Sequence, residues 1–441
     1  MDNLNQDKNM FEEEVRELRF CENLKKRIFH EELRDSQDRI FQRDFARILY
    51  SPSFRRMQGK MQLLGIKGDE YYRNRLTHSL EVAQIARSIA EVFGYETNEY
   101  YVVEAGALAH DIGNPPFGHS GERYLNELFD DIGGYEGNAQ TLRILTKIEH
   151  KAPNFSGLNL TYRTLLSVLK YNKQRKEKEN CKKNKKFIYD DNYKVIEEFI
   201  EENNISVRTL DVQIVDKSDE IAYAAHDLED GLRQGYFTID EVLQEFSNEY
   251  PNSDALNELE RIIDECKRKS GYLDSYKENA SLYQQLFRQE LTSKIVNVLI
   301  HDLGKREVDQ EFKNKSGTMN EYELNFTSLG DLASGLKKAI FNCIMNKSDV
   351  YIYEKKGDII LKTLKEIYED DPKLMSPNYQ LNNAKKYYND NNIDENILKK
   401  RLVCDYISGM MDSYAISEYE KYTGISFEKI KLKNEKTVKG R

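Results

Sequence analysis

Two imidazoles and two carboxylates, from His78, His110, Asp111 and Asp219, give this 441-residue chain a mixed nitrogen and oxygen donor set. Such a set suits Mn²⁺, Fe²⁺, Co²⁺, Zn²⁺ or Mg²⁺, and four protein donors leave room in an octahedron for water. Imidazole favours the first-row metals over magnesium, and the lack of a thiolate weakens a structural-zinc reading. A divalent cation lowers the pKa of water from about 15.7 towards about 7 and polarises a phosphoryl oxygen, so the chemistry on offer is hydrolysis. His119 and Glu122 follow in the same stretch, behind a glycine-bounded turn. A histidine and a carboxylate three residues apart can share a proton as general acid or base, although both are also ordinary turn residues.

Three helices must deliver the four donors. An apolar run, Ala107-Leu108-Ala109, carries His110 and Asp111 to its last turn, and Gly113 with Pro115-Pro116 predicts that the helix stops there. Neighbours on a helix point about 100° apart, so these two can share a cation only if further donors come from elsewhere. His78, Val82, Ile85, Ile89 and Phe93 mark one face of an earlier helix. A histidine on such a face is more often a packed core residue than a ligand, so its reading depends on company. Asp219, Tyr223 and Asp227 recur every fourth residue on a third helix, beside the packing residues Ile214, Val215, Ile221, Ala222, Ala225 and Leu228. An exposed stripe has the same spacing, but the small apolar neighbours point to burial.

Composition frames these elements. Seven prolines, 23 glycines and apolar spacings of three and four predict an all-α fold. Further helices are expected over 159–171, 291–303 and 397–415, and a turn after Gly133 feeds one ending near His150. The run from Lys173 to Lys186 has no apolar spacing and reads as a solvated loop or a polyanion-attracting surface; 431–441 reads as a disordered tail. The net charge of −10 argues against a dedicated duplex-DNA binder. The five cysteines, Cys21, Cys181, Cys266, Cys343 and Cys404, form no CxxC pair, so neither a zinc ribbon nor a disulfide framework is expected. No signal-peptide pattern or bilayer-length apolar run is evident, and a cytoplasmic location with no membrane partner is expected.

The order His78, His110-Asp111, Asp219 resembles the HD superfamily of metal-dependent phosphohydrolases. The runs 54–62, 72–82, 106–122, 136–140, 219–230 and 405–412 resemble one branch of it, the deoxynucleoside triphosphate triphosphohydrolases, and the bacterial dGTPases above all. A bare His-Asp dipeptide is a weak signal; six runs over most of the chain are a strong one. The resemblance implies a helical HD-domain fold with additional C-terminal helices: an N-terminal arm over 1–45, a metal-dependent core over 46–240, and a region over 241–441 completing the substrate pocket and the oligomer contacts. It implies hydrolysis of dGTP, or of other dNTPs, to a deoxynucleoside and intact triphosphate. Manganese is the expected cofactor, with magnesium, cobalt or iron as alternatives. By position, His78, His110, Asp111 and Asp219 would hold the metal, and His119 and Glu122 would act on the attacking water or the leaving 5′ oxygen. Gln62, Tyr223 and Asp227 would face the deoxyribose, and Arg75 the phosphates. Gly137 stands where some branches have a histidine, which leaves Asn138 as a polar contact.

Arg55, Arg56, Lys60, Arg73 and Arg75 precede the first donor, so an anion could be held without a basic protein. Family members form tetramers or hexamers, and some respond to nucleotides or single-stranded DNA, so a homo-oligomer and such an effector join the dNTP as implied partners. Met61 departs from a common threonine, and the divergent 240–400 region leaves the base-recognition residues unassigned. The alternatives are another HD phosphohydrolase, acting on a dNMP, a cyclic dinucleotide or an alarmone, or a regulatory protein that binds nucleotide or single-stranded DNA around a structural metal.

Overall fold

A computed structural model describes residues 2–31, 39–62, 73–175, 186–271, 279–345, 347–385 and 394–432. Most of the Lys173 to Lys186 run, Tyr72, and the tail beyond Leu432 lie outside the described residues. The first half holds α1 (Asp2–Phe20), α2 (Ile40–Leu49), α3 (Pro52–Arg56), α4 (Arg75–Val92), α5 (Thr97–Ala109), α6 (Gly118–Leu128), α7 (Gly137–Arg143), α8 (Tyr162–Leu166), α9 (Asp190–Asn203) and α10 (Leu210–Gln234). After α11 (Ile239–Glu249), α12 (Asp254–Gly271) and α13 (Ala280–His301), strands β1 (Leu303–Glu307) and β2 (Tyr322–Phe326) flank α14 (Gln310–Ser316). The chain closes with α15 (Gly330–Met345), α16 (Ser348–Asp370), α17 (Leu381–Ala384), α18 (Glu395–Ser408) and α19 (Asp412–Thr423). The all-α expectation holds, with one antiparallel hairpin added among the described residues.

Local chemistry sets the helices that matter. Asn74 caps α4 through Thr77, whose hydroxyl side chain returns to the Asn74 N–H, so both ends of a capping box are closed. The face of α4 that carries His78 also buries Val82, Ile85 and Ile89, followed by Phe93 just beyond the helix end, as the spacing requires. Helix α5 packs along α4 and α2, and α10 packs across α4, α5, α13 and α15. The stripe on α10 is not exposed: Asp227 is buried and Asp219 nearly so, because this face is pressed between α4 and α15. A second core joins α6 to α16, α18 and α19 through Phe117, Leu125, Phe129, Leu361, Leu364 and Ile407.

Two expected helices are cut short by long-range contacts. The 159–171 segment keeps only α8, because Asp44 accepts from both the N–H and the hydroxyl of Thr161 and fixes the turn before it. The 397–415 segment breaks between α18 and α19, where the carbonyl of Ser408 accepts from Lys60 Nζ at 2.8 Å. The hairpin interrupts a region read as helical. Leu324 and Phe326 are buried, Leu324 N–H donates to Gln213 of α10, and Glu323 accepts from Arg208. No helix among the described residues is long and apolar enough to cross a membrane.

Candidate metal centre and its cleft

Helices α4 and α10 and the end of α5 bring the four donors together. Nε2 of His78 lies 3.1 Å from Oδ1 of Asp219, and Nε2 of His110 lies 3.4 Å from the same oxygen and 3.6 Å from Oδ1 of Asp111. One donor atom from each of His78, His110 and Asp111 falls within a mutual 4.8 Å. His110 Nδ1 faces the carbonyl of Ala107 at 2.6 Å, and a carbonyl only accepts, so Nδ1 carries a proton and Nε2 is the atom that would give a lone pair to a bound cation. Burial opposes protonation of His110, yet Asp111 and Asp219 outweigh it and push the imidazole up to about 9. The two carboxylates thus demand positive charge at this point, and a divalent cation meets that demand. His78 Nδ1 is buried without a hydrogen-bond partner. The donor chemistry fits an oxygen- and nitrogen-binding divalent ion.

His110 sits at the end of α5, and Asp111 lies one residue past it in the turn leading to Gly113. A Cβ at Gly113 would lie 2.2 Å from the carbonyl oxygen of Gly137, so only glycine lets α7 approach. Asp111 divides its carboxylate. Oδ2 accepts from Arg75 Nη1 at 2.5 Å, and Oδ1 accepts from Asn114 Nδ2. Burial would raise the pKa of Asp111, but Arg75 and the two histidines hold it below the usual carboxylate range.

The chain then turns through Phe117, whose left-handed φ of 64° starts α6, and Phe117 N–H donates to Asp412 at the head of α19. This turn aims His119 and Glu122 at the same cleft that His110, Asp111 and Asp219 line, a cavity of about 220 Å³. His119 Nδ1 is 3.3 Å from Glu122 Oε2, and Glu122 Oε1 accepts the Gly137 N–H at 3.1 Å. Burial alone would raise Glu122, but the bond from His119, the charge of Lys186 and the Gly137 N–H lower it to about 2. The pair is therefore a carboxylate holding a histidine, an arrangement that can serve general acid–base chemistry through His119 Nε2.

The expected substrate residues divide. Tyr223 and Asn138 line the cleft; the Tyr223 ring lies 5.2 Å from that of His78, and Asn138 Nδ2 donates to Glu136 at 2.7 Å. Gln62 and Asp227 are buried, each with one side-chain oxygen lacking a partner. Burial and the neighbouring Asp230 push the Asp227 carboxyl well above its ordinary range. Arg75 is 1% exposed and does not line the cleft. Two other basic residues before the first donor are likewise engaged internally. Lys60 donates to the carbonyls of Asn114 and Ser408, and Arg73 pairs with Glu81, Glu229 and Asp230.

Lysines that sequence reasoning did not select take those places at the cleft: Lys170 against Asp216, Lys186 against Glu136, and Lys337 over the Tyr223 ring. Lys186 ends the charge run and so carried a signal; Lys170 and Lys337 carried none. Asp412 lay in a quoted run but without a role, and it also accepts the Met61 N–H at 3.2 Å.

Residues 75–224, which include all four donors, match the HD domain model, and residues 329–421 match the phosphohydrolase-associated domain. The chain is 44% identical over 398 residues to a deoxyguanosinetriphosphate triphosphohydrolase-like protein 2 of Vibrio cholerae, covering 90% of this chain and 91% of the relative. It is 33% identical over 412 residues to a deoxyguanosinetriphosphate triphosphohydrolase-like protein of Geobacter metallireducens, with 90% and 91% covered. A like-named protein of Nitrobacter hamburgensis is 32% identical over 387 residues, with 86% and 89% covered. With end-to-end similarity and the HD span falling on the donor quartet, the chain belongs to the deoxyguanosinetriphosphate triphosphohydrolase-like family of HD-domain phosphohydrolases.

Proposed function

We propose that this protein hydrolyses a deoxynucleoside triphosphate, dGTP first among them, to the deoxynucleoside and inorganic tripolyphosphate. The observation that carries the reading is that the His119–Glu122 pair opens onto the cleft lined by His110, Asp111 and Asp219. The names of the Vibrio and Geobacter relatives point to the same substrate. His78, His110, Asp111 and Asp219 would hold a divalent ion, manganese by preference, which supplies charge neutralisation at the phosphoryl group and a more acidic water. Glu122 accepts the Nδ1 proton of His119 and fixes the ring, so His119 Nε2 takes a proton from the attacking water or gives one to the 5′ oxygen. The bond broken joins the α-phosphorus to that oxygen; the new bond joins phosphorus to water oxygen, and the triphosphate leaves whole. Tyr223 bounds the sugar, where a ring beside the 2′ carbon disfavours a ribose hydroxyl. The Asp227 carboxyl and the Gln62 amide, each with an unpartnered buried oxygen, would offer hydrogen bonds to the sugar.

The reading assigns 46–240 to the metal-dependent core and 241–441 to closing the pocket, and it carries with it a homo-oligomer, which light scattering checks. Its decisive test is product chromatography after incubating each dNTP and rNTP with Mn²⁺, Mg²⁺ or Co²⁺. Deoxyguanosine and tripolyphosphate from dGTP are expected; orthophosphate or pyrophosphate would reject it.

A further inference from the structure

Phe117 holds a backbone conformation that an aromatic residue rarely adopts: φ is 64° and ψ is 26°, in the left-handed region, and the residue is 1% exposed. Such a turn costs free energy in a bulky residue and persists only where its surroundings fix it. It stands two residues before His119, at the point where α6 begins, so it sets the direction in which that helix leaves. His119 needs such a guide. Its side chain is 65% exposed and, among the described residues, hydrogen-bonded only to Glu122 of the same helix.

What fixes the turn is the phosphohydrolase-associated segment. Asp412 Oδ1 accepts the Phe117 N–H at 3.2 Å, the Phe117 ring packs edge-on against Tyr353 with centroids 5.6 Å apart, and a Cβ at Gly357 would lie 2.6 Å from Phe117 Cγ. All three partners lie within residues 329–421, outside the segment that carries the metal-site donors. The other oxygen of Asp412, Oδ2, accepts the Met61 N–H at 3.2 Å, with the Tyr353 hydroxyl 3.5 Å away. Met61 precedes Gln62, whose amide oxygen is buried without a partner. Asp412 opens α19, yet its carboxylate does not cap that helix; both oxygens go to distant backbone. One buried carboxylate therefore spans the turn that leads to His119 and the stretch that carries Gln62.

We propose that Asp412 is a positioning residue for the reaction: it clamps the strained Phe117 turn and so holds His119 in a fixed relation to Gln62. The inference deepens the triphosphohydrolase reading above and rests on it for the roles of those two residues. Asp412 acts through backbone N–H groups alone, and it makes no hydrogen bond to any of the four donors. An asparagine in its place has one accepting oxygen and an NH₂ group, so one of the two backbone donors would face another donor and the turn would relax. The clamp thereby ties the phosphohydrolase-associated segment to a reaction centred in the HD segment.

Turnover of dGTP with Mn²⁺ by the full-length protein tests this on wild type, D412N, H119A and the double variant D412N/H119A. D412N should lower kcat about 10–100-fold, the effect of a reacting group displaced by about an ångström. KM for dGTP should stay within about threefold of wild type, and Mn²⁺ content should not change. In the H119A background D412N should cost less than about threefold more, because a group that acts through His119 has nothing left to position. D412E, whose carboxylate reaches one methylene further, decides the matter should D412N not fold; it should show the same kcat loss and the same lack of additivity. Wild-type kcat in the variant that folds would overturn the clamp. So would losses that multiply with H119A or that follow Mn²⁺ content, as a general loosening of the fold would give. Release of orthophosphate from dGTP by the wild type would instead overturn the reaction assigned above, and the coupling of Asp412 to His119, measured on that turnover, would still decide on the clamp.

Discussion

Nη1 of Arg75 lies 2.5 Å from Oδ2 of Asp111, in a pair whose side chains are 1% and 9% exposed. One carboxylate oxygen is thereby fixed by a buried cation, and the other is left facing His110. Deleting the guanidinium strands a carboxylate inside the protein, and removing one partner of a buried pair typically costs about 3–5 kcal/mol. R75M should therefore lose stability of that order in urea unfolding. It should also bind Mn²⁺ about 10–100-fold more weakly, the usual penalty for losing a group that orients a ligand. Wild-type stability and Mn²⁺ affinity in R75M would mean that Asn114 alone orients Asp111.

Glu122 is ionised through the whole working pH range, because its folded pKa of about 2 lies below any pH at which the protein would be assayed. In the proposed reaction its part is to hold His119, and the imidazole would be the proton-moving group. E122Q and H119A should each lower kcat about 10²–10⁴-fold with unchanged Mn²⁺ content. The double variant should be hardly worse than either single one, because the two act as a unit. Additive losses would separate them.

The meeting of His78, His110, Asp111 and Asp219 is legible in the sequence because each sits on, or just past the end of, a helix with a regular apolar face. His78 shares its face with Val82 and Ile85, and Asp219 shares a helix with Ile221 and Ala222. The turn that leads to His119 and Glu122 is legible from Gly113 and the two prolines. What is not legible depends on partners far along the chain. The 159–171 segment is cut short by Asp44, and the break after Ser408 is fixed by Lys60, more than three hundred residues earlier. The resemblance implies Arg75 as a phosphate contact, and its ion pair with Asp111 is set by the fold, outside the reach of any local pattern. Lys337 has no local motif at all, since the packing of α15 on α10 alone sets it over Tyr223.

Lys60 is 3% exposed, and its ammonium donates only to carbonyls. Burial, helped by Arg56, pushes its pKa from 10.5 down to about 7 against the pull of Asp412 and Asp111. A group with a folded pKa below its unfolded one binds fewer protons when folded, so stability must rise with pH between about 7 and 10.5. That gain is complete above about 10.5 and is lost as pH falls to about 7. The gap bounds it at roughly 5 kcal/mol. Urea unfolding of wild type and K60M should therefore diverge in wild type's favour between about pH 7 and pH 9.5. Parallel profiles would show that the buried ammonium keeps its ordinary pKa.

Asp405 of α18 accepts from Arg143 of α7 through both oxygens, at 2.9 Å from Nε and 2.8 Å from Nη2, and from Gln140 at 3.0 Å. The carboxylate is fully buried, and the arginine almost so. The same short helix presents Gly137 and Asn138 to the cleft, so this fork anchors one cleft wall to the C-terminal helices. An asparagine cannot accept through two oxygens and leaves the guanidinium with the weaker partner Asp191, 3.5 Å away, so D405N should cost up to about 3–5 kcal/mol. Replacing both partners removes the stranded charge, so R143M/D405N should recover part of the loss, a coupling that a double-mutant cycle in urea reads directly. A cycle with no coupling would mean that apolar packing of α16 and α18, rather than this ion pair, holds α7 in place.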